Sequence, residues 1–148
     1  MRAVVLHAAG DVRVEHVERP TVVEPTDAVI RVTATCICGS DLWPYRGLEA
    51  VPRPARMGHE YVGVVEEVGQ DVRDIAVGDL VVGSFVASDN TCEICQAGFQ
   101  SRCVHQVMMG SVGTQAEYAR VPLADGTLVA VLTATDDRLR PVLVLAPA

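Results

Sequence analysis

Apolar and polar positions alternate in short stretches separated by Gly, Pro and Asp, and the pattern predicts strands rather than helices. Ala3-Val4-Val5-Leu6-His7 is an apolar run that ends at the turn Gly10-Asp11. Val12, Val14 and His16 then alternate with Arg13, Glu15 and Val17, the pattern of a second hairpin strand. Pro20 and Pro25 interrupt the next segment, and Asp27 to Ile37 reads as a strand again. There Ile30, Val32, Ala34, Cys36 and Cys38 share one parity and so, in a regular strand, one face. Residues 39–58 hold Pro44, Pro52, Pro54 and several polar groups, which predicts loop with a short helical turn. Glu60 to Val68, Leu80 to Val86, Ala116 to Val121 and Leu128 to Leu132 read as further strands, with a turn region at Asp71 to Gly78. Thr135 is placed to cap a terminal helix whose first turn carries Asp136 and Asp137, with Pro141 early in it.

Residues 87–114 show neither period. A stretch this long without a pattern, inside a compact domain, needs something to tie it down. It holds three of the five cysteines. The early acidic and basic residues Asp11, Arg13 and Glu15 argue against a secretion signal, so the expectation is a cytoplasmic protein whose cysteines bind metal rather than pair. With 19 acidic against 12 basic residues, the balance argues against nucleic acid. No apolar run approaches the roughly 20 residues that span a bilayer. No G-x-G-x-x-G follows a strand, so no dinucleotide-binding (Rossmann) domain is expected in the chain.

Two constellations carry chemistry. The first is Asp89-x-x-Cys92-x-x-Cys95-x7-Cys103. Zinc takes four ligands in a tetrahedron and favours thiolates in structural sites. A C-x-x-C turn puts two sulfurs on one metal, and Gly98 lets the chain loop back with the third. Asp89 keeps the three-residue step and can supply an oxygen; His105 competes as the fourth ligand. The plain alternative is a loop with unpaired thiols. The second is Cys38-Gly39-Ser40-Asp41 together with Gly58-His59-Glu60. Thiolate, imidazole and carboxylate make a mixed set suited to a catalytic zinc, which keeps one position open. Taken singly, such a His is more often a hydrogen-bonded structural residue and such a Cys a small core residue. Cys36 is expected to be a small buried residue, Met108 and Met109 to fill gaps beneath the loop, and His7 and His16 to lie far from the cluster.

These motifs occur in order. Cys38-Gly39-Ser40-Asp41-Leu42 is followed by Gly58-His59-Glu60-Tyr61-Val62-Gly63-Val64-Val65-Glu66-Glu67-Val68-Gly69, then Val77-Gly78-Asp79-Leu80-Val81, then the cysteine lobe. From Met1 to about Thr133 the chain resembles the zinc-dependent medium-chain alcohol dehydrogenase family, in its N-terminal catalytic domain. The resemblance implies a mainly β fold, a GroES-like irregular β-barrel with a zinc lobe at about residues 87–114 and at most a short terminal helix. Residues 134–148 would begin the connection to a nucleotide-binding domain. It implies catalytic zinc on Cys38 and His59, with Glu60 as an exchangeable or outer ligand. Ser40 would take the proton from the alcohol, and Asp41 would orient a ligand. Cys92, Cys95 and Cys103 would hold a structural zinc.

The chain departs from the family in three places. Asp89 stands where most members have a cysteine, and Trp43 where some have a His that passes the proton to solvent. Trp43 could wall a substrate pocket or pack in the core. A further zinc ligand of the family falls near Ala148, where this chain has no donor. The expectation is therefore an oxidoreductase domain acting on a small alcohol or carbonyl substrate, with NAD or NADP in the intact enzyme. The chain alone is expected to be inactive, and the exposed apolar tail makes a homo-oligomer plausible. The alternatives are a non-catalytic zinc-binding module from a truncated or degenerate dehydrogenase, a metal-free quinone reductase, and, by fold analogy alone, a chaperonin-like role.

Overall fold

The computed structural model describes residues 1–131 apart from Val51. Among these residues, ten strands form three antiparallel sheets. The hairpin β1 (Arg2–Ala8) and β2 (Asp11–His16) is extended on the other side of β1 by β4 (Ala55–Arg56). The main sheet has the order β10 (Leu128–Ala130), β6 (Leu80–Gly83), β5 (Tyr61–Val68), β3 (Ala28–Thr35), β9 (Tyr118–Val121). A small ribbon pairs β7 (Val86–Ala87) with β8 (Val107–Met108). The first two sheets meet at Ala3 and Ala116, where backbone bonds run from Val4 N to Gln115 O (2.9 Å) and from Glu117 N to Arg2 O (3.1 Å).

The main sheet is the floor of the core. Tyr61, Gly63 and Val65 alternate inward along β5, and Tyr61 and Val65 pack with Ile30, Val81, Val121 and Leu128. Met109 joins this cluster from the far side of the cysteine loop. At the start of β3 lies a fully buried acid, Asp27. Arg120 donates to both its oxygens, Nε at 2.6 Å and Nη2 at 3.0 Å, and the backbone N–H groups of Val23 and Glu24 donate to Oδ2. The pair ties the start of β3 to β9.

The strands lie where alternation places them, with three physical differences. In β3 the shared face is lost: Ala28, Val29 and Ile30 are consecutively buried, whereas Ala34 and Cys36 are exposed. Two register shifts against β5 interrupt the pairing: Glu66 is the extra residue of β5 opposite Val29 and Ile30, and Thr33 is the extra residue of β3 between Val32 and Ala34, which flips the side-chain parity of β3 beyond it. Cys36 is therefore not a small buried residue. The expected strand Leu80 to Val86 is broken after Gly83, where Ser84 N turns aside to Thr127 O (3.2 Å), and Val86–Ala87 pairs in a different sheet. Finally, one-turn helices α1 (Leu42–Tyr45), α2 (Glu93–Gln96) and α3 (Ala124–Thr127) punctuate the loops. Only the first falls in the region where a helical turn is expected. The terminal helix at Thr135, the connection at 134–148 and the ligand position near Ala148 lie outside the described residues. None of the described residues builds a parallel nucleotide-binding sheet.

Replacing Arg120 by Ala leaves the Asp27 carboxylate buried without its cation. We expect a loss of about 3 kcal/mol in urea unfolding, the low end for breaking a buried pair, because Arg120 is partly exposed.

Candidate metal centres

The first centre forms where β3 ends and β5 begins. Cys38 follows the end of β3 and precedes a tight helical turn, Gly39–Asp41. The Asp41 carboxylate reaches back to the Cys38 N–H (2.9 Å), as the third residue of a capped turn does. Asp41 is nearly buried, and Gln115 Nε2 also donates to its Oδ2 (3.3 Å). Its other oxygen lies 3.4 Å from His59 Nδ1. A carboxylate on one ring nitrogen fixes the imidazole orientation and turns Nε2 outward as the ligating atom, the common arrangement around metal-bound His. Ser40 Oγ lies 3.3 Å from that Nε2.

His59 owes its place to Gly58, whose φ is +97°. A Cβ there would meet the Gln115 backbone N and Cγ at 2.5 Å. Only glycine allows this close approach, and it brings Thr114 N to Gly58 O (3.0 Å) and Gln115 N to Met57 O (2.9 Å). Glu60 is held from two sides: Thr35 Oγ1 donates to its carbonyl (2.8 Å), and Cys36 Sγ donates to its Oε2 (2.5 Å). That bond to Glu60 is the main reason the Cys36 thiol is pushed up to about 11.

Cys38, His59 and Glu60 present ligand atoms within 4.8 Å of one another. None of the three is fully buried, and His59 lines a cleft of about 740 Å3. Ser40, Trp43, His59 and Phe85 line it, with the Phe85 ring edge-on to His59 at 6.4 Å. Trp43 is 58% exposed there, so it walls the cleft and does not pack in the core. A thiol, an imidazole and a carboxylate beside a cleft fit a zinc with an open position.

The second centre is the cysteine lobe closed by β7 and β8. After β7, Asp89 Oδ1 accepts the N–H groups of Thr91 (3.0 Å) and Cys92 (3.2 Å). This turn starts α2, which carries Cys95 inward, and a second tight turn at Gln100–Arg102 returns Cys103. Asp89, Cys92, Cys95 and Cys103 bring one donor each within 4.8 Å, and Cys95 and Cys103 are buried. His105 is not one of these donors. Its Nδ1 lies 2.5 Å from Asp89 Oδ2 and holds that carboxylate from outside. Hydrogen bonding from His105 drives the Asp89 carboxyl far below the usual range, and Asp89 in turn raises the His105 pKa. The N–H of Val104 lowers the Cys92 thiol, while burial pushes Cys95 up to about 12. Four donors packed this closely repel one another once ionised, so the set fits a cation such as zinc among them.

Every site residue read from the sequence falls in one of these two groups. Gln115, which braces Asp41 and packs on Gly58, carries no local signal in the sequence. Met109 is buried as expected, but Met108 is half exposed at the cleft. His7 bonds Glu15 (2.9 Å) in the hairpin.

Comparison with known proteins gives a consistent picture. Residues 24–131 match the alcohol dehydrogenase GroES-like domain. The chain is 46% identical over 132 residues to the zinc-type alcohol dehydrogenase B of Aspergillus flavus, covering 87% of this chain and 31% of that protein. It is 37% identical over 123 residues to the L-threonine 3-dehydrogenase of Paraburkholderia phytofirmans, covering 79% and 36%. Among solved structures, the alcohol dehydrogenase TADH from Thermus sp. ATN1 superposes with a TM-score of 0.82 at 38% identity, covering 88% of this chain and 40% of that one. The chain thus spans about a third of the length of these curated relatives.

If His105 orients Asp89 on the metal, His105→Ala should weaken zinc binding at the lobe by about tenfold or more. Competition with a chromogenic chelator measures it, and unchanged affinity would assign His105 to the surface only.

Proposed function

The chain belongs to the alcohol dehydrogenase GroES-like domain family, and from that premise we propose that it is the zinc-binding catalytic domain, spanning residues 1–148, of an NAD(P)-dependent alcohol dehydrogenase. The reaction is oxidation of a small alcohol to an aldehyde or ketone, with hydride passing to NAD or NADP. The observation that carries this reading is the convergence of Cys38, His59 and Glu60 beside a cleft that His59, Ser40 and Asp41 line. Zinc held there by Cys38 and His59 supplies a Lewis acid that lowers the pKa of an alcohol. Asp41, 3.4 Å from His59 Nδ1, orients the ring so that Nε2 would be the ligating nitrogen. Cys36 holds Glu60 beside the pair, as an outer or exchangeable carboxylate. Ser40 Oγ takes the hydroxyl proton. With Trp43 at the next cleft position, the onward proton path runs through water or the cofactor ribose. Trp43 and Phe85 screen the reacting carbon from bulk water.

The nucleotide is taken by a domain that the described residues do not build, so we expect the chain alone to be inactive. Asp89, Cys92, Cys95 and Cys103 hold a second zinc that fixes the lobe. None of the five cysteines forms a disulfide, and a cytoplasmic setting is part of the same reading. Among the described residues no helix is long and apolar enough to cross a membrane. Self-association is part of the same reading.

Elemental analysis of the chain purified without added metal tests the metal assignment. We expect two zincs per chain, with one lost in Cys38→Ser and the other in Cys95→Ser. A single zinc that is lost only with Cys95→Ser would contradict the catalytic assignment. In the intact enzyme, Ser40→Ala should lower kcat by about 10²-fold or more, the scale of lost general-base catalysis.

A further inference from the structure

Two aromatic side chains stay exposed in the cleft, beside a carboxylate that nothing in the fold engages. Trp43 and Phe85 are each more than half exposed, and both line the cleft that His59 lines. The Phe85 and His59 ring centroids are 6.4 Å apart, so the aromatic wall reaches the candidate zinc ligand itself. Pro52, Pro54 and Met57 continue the apolar lining.

The ionisable groups of the lining are Asp41, Glu49, Arg56 and His59. Asp41 is nearly buried and is taken up by Cys38 N–H, Gln115 and His59. Arg56 keeps its Nε and Nη2 enclosed by protein, so that edge is not presented to the cleft. Glu49 is exposed and has neither a hydrogen bond nor an ion pair among the described residues. Asp41 and Glu49 against Arg56 leave the lining with one net negative charge. The end of α1 explains where Glu49 lies. Gly47, at φ +73°, donates its N–H to Pro44 O (3.1 Å), and Leu48 N donates to Trp43 O (2.9 Å). This glycine-closed helix end turns the chain back on itself. Glu49 thus follows directly on a residue bonded to Trp43, and both side chains line the one cleft.

An aromatic face attracts a cation through its quadrupole, most strongly in Trp, and quaternary ammonium groups are the ligands that use this best. A carboxylate by itself is satisfied by water, and an aromatic wall by itself accepts any apolar group. Together in one cleft they select a cation with an apolar skin. We propose that the cleft binds alcohols that carry a cationic nitrogen, with Trp43 and Phe85 against the cation and Glu49 balancing its charge. The proposal rests on the dehydrogenase reading for the reaction, and on Trp43, Phe85 and Glu49 for the substrate class. At about 740 Å3 the cleft has room for a small alcohol of this kind.

Trp43 is the single tryptophan and lines the cleft, so its fluorescence reports occupancy. The zinc-loaded chain is titrated at constant chloride with choline and with 3,3-dimethylbutan-1-ol, the uncharged alcohol of the same shape, in wild type, E49Q and F85L. A cation costs more to take out of water than its neutral isostere, so tighter binding of choline requires groups that recognise the charge. In wild type we expect choline to bind at least about tenfold more tightly than the neutral alcohol. E49Q should remove most of that preference and leave binding of the neutral alcohol unchanged, and F85L should reduce it. No measurable choline binding, choline no tighter than the neutral alcohol in wild type, or a preference retained in full by E49Q or F85L overturns the proposal. Should F85L fail to fold, E49Q alone decides, since Glu49 is an exposed side chain without partners among the described residues. Zinc content measured on the same samples separates the two readings. An empty Cys38–His59 site with the choline preference intact sinks the dehydrogenase reading alone, and a full site without the preference sinks the cation assignment alone.

Discussion

The close approach of residues 113–115 to Met57 and Gly58 is the constraint on which the site depends. Gly58 has no Cβ, so the Gln115 backbone can lie against it, and two backbone bonds seal the contact. Gln115 also accepts from Val4 through its carbonyl, so one segment joins the hairpin sheet, the main sheet and the loop that carries His59. From that junction its side chain reaches Asp41 and the carbonyl of Cys36. Asp41 and His59 are thus placed by the Gln115 segment, and Glu60 by Thr35 and Cys36. A ligand set fixed in this way is ready before any metal arrives, which is what a site with an open position needs.

The two donor clusters differ as their surroundings require. In the lobe, two of the four donors are buried and backbone N–H groups point at the sulfurs, from Asp89 and His105 to Cys103 at 3.4 Å each. Such a set is closed and serves to hold a long irregular loop. At the cleft the donors are fewer and only partly covered, and a serine hydroxyl lies beside the imidazole. On the proposed reading, Asp89 would offer one hard oxygen donor beside three soft thiols, with His105 holding its carboxylate in place.

Much of this was legible in the sequence because the informative residues are local. The C-x-x-C step, the Gly58-His59-Glu60 run and the Ser40-Asp41 pair each mark a turn at a strand end. The strands follow their alternation. Where the reading failed, the cause was non-local or register-dependent. The extra residue Thr33 in β3 changed the parity beyond it, and Cys36 is an exposed partner of Glu60, not an interior residue. Gln115 matters through contacts with segments far away in the chain, and no local period points to it. His105 and Asp89 could not be separated by spacing, since both lie within reach of the same three sulfurs; the fold of the turn after β7 separates them.

One fold thus places two candidate metal centres, one beside the cleft and one in the lobe. Anomalous diffraction at the zinc edge, from crystals of the zinc-loaded chain, decides whether both are real. Two peaks are expected, one bound by Cys38 Sγ and His59 Nε2 beside Ser40, the other enclosed by Asp89, Cys92, Cys95 and Cys103. Absence of the peak between Cys38 and His59, with the lobe peak present at full strength, would contradict the pairing of centres.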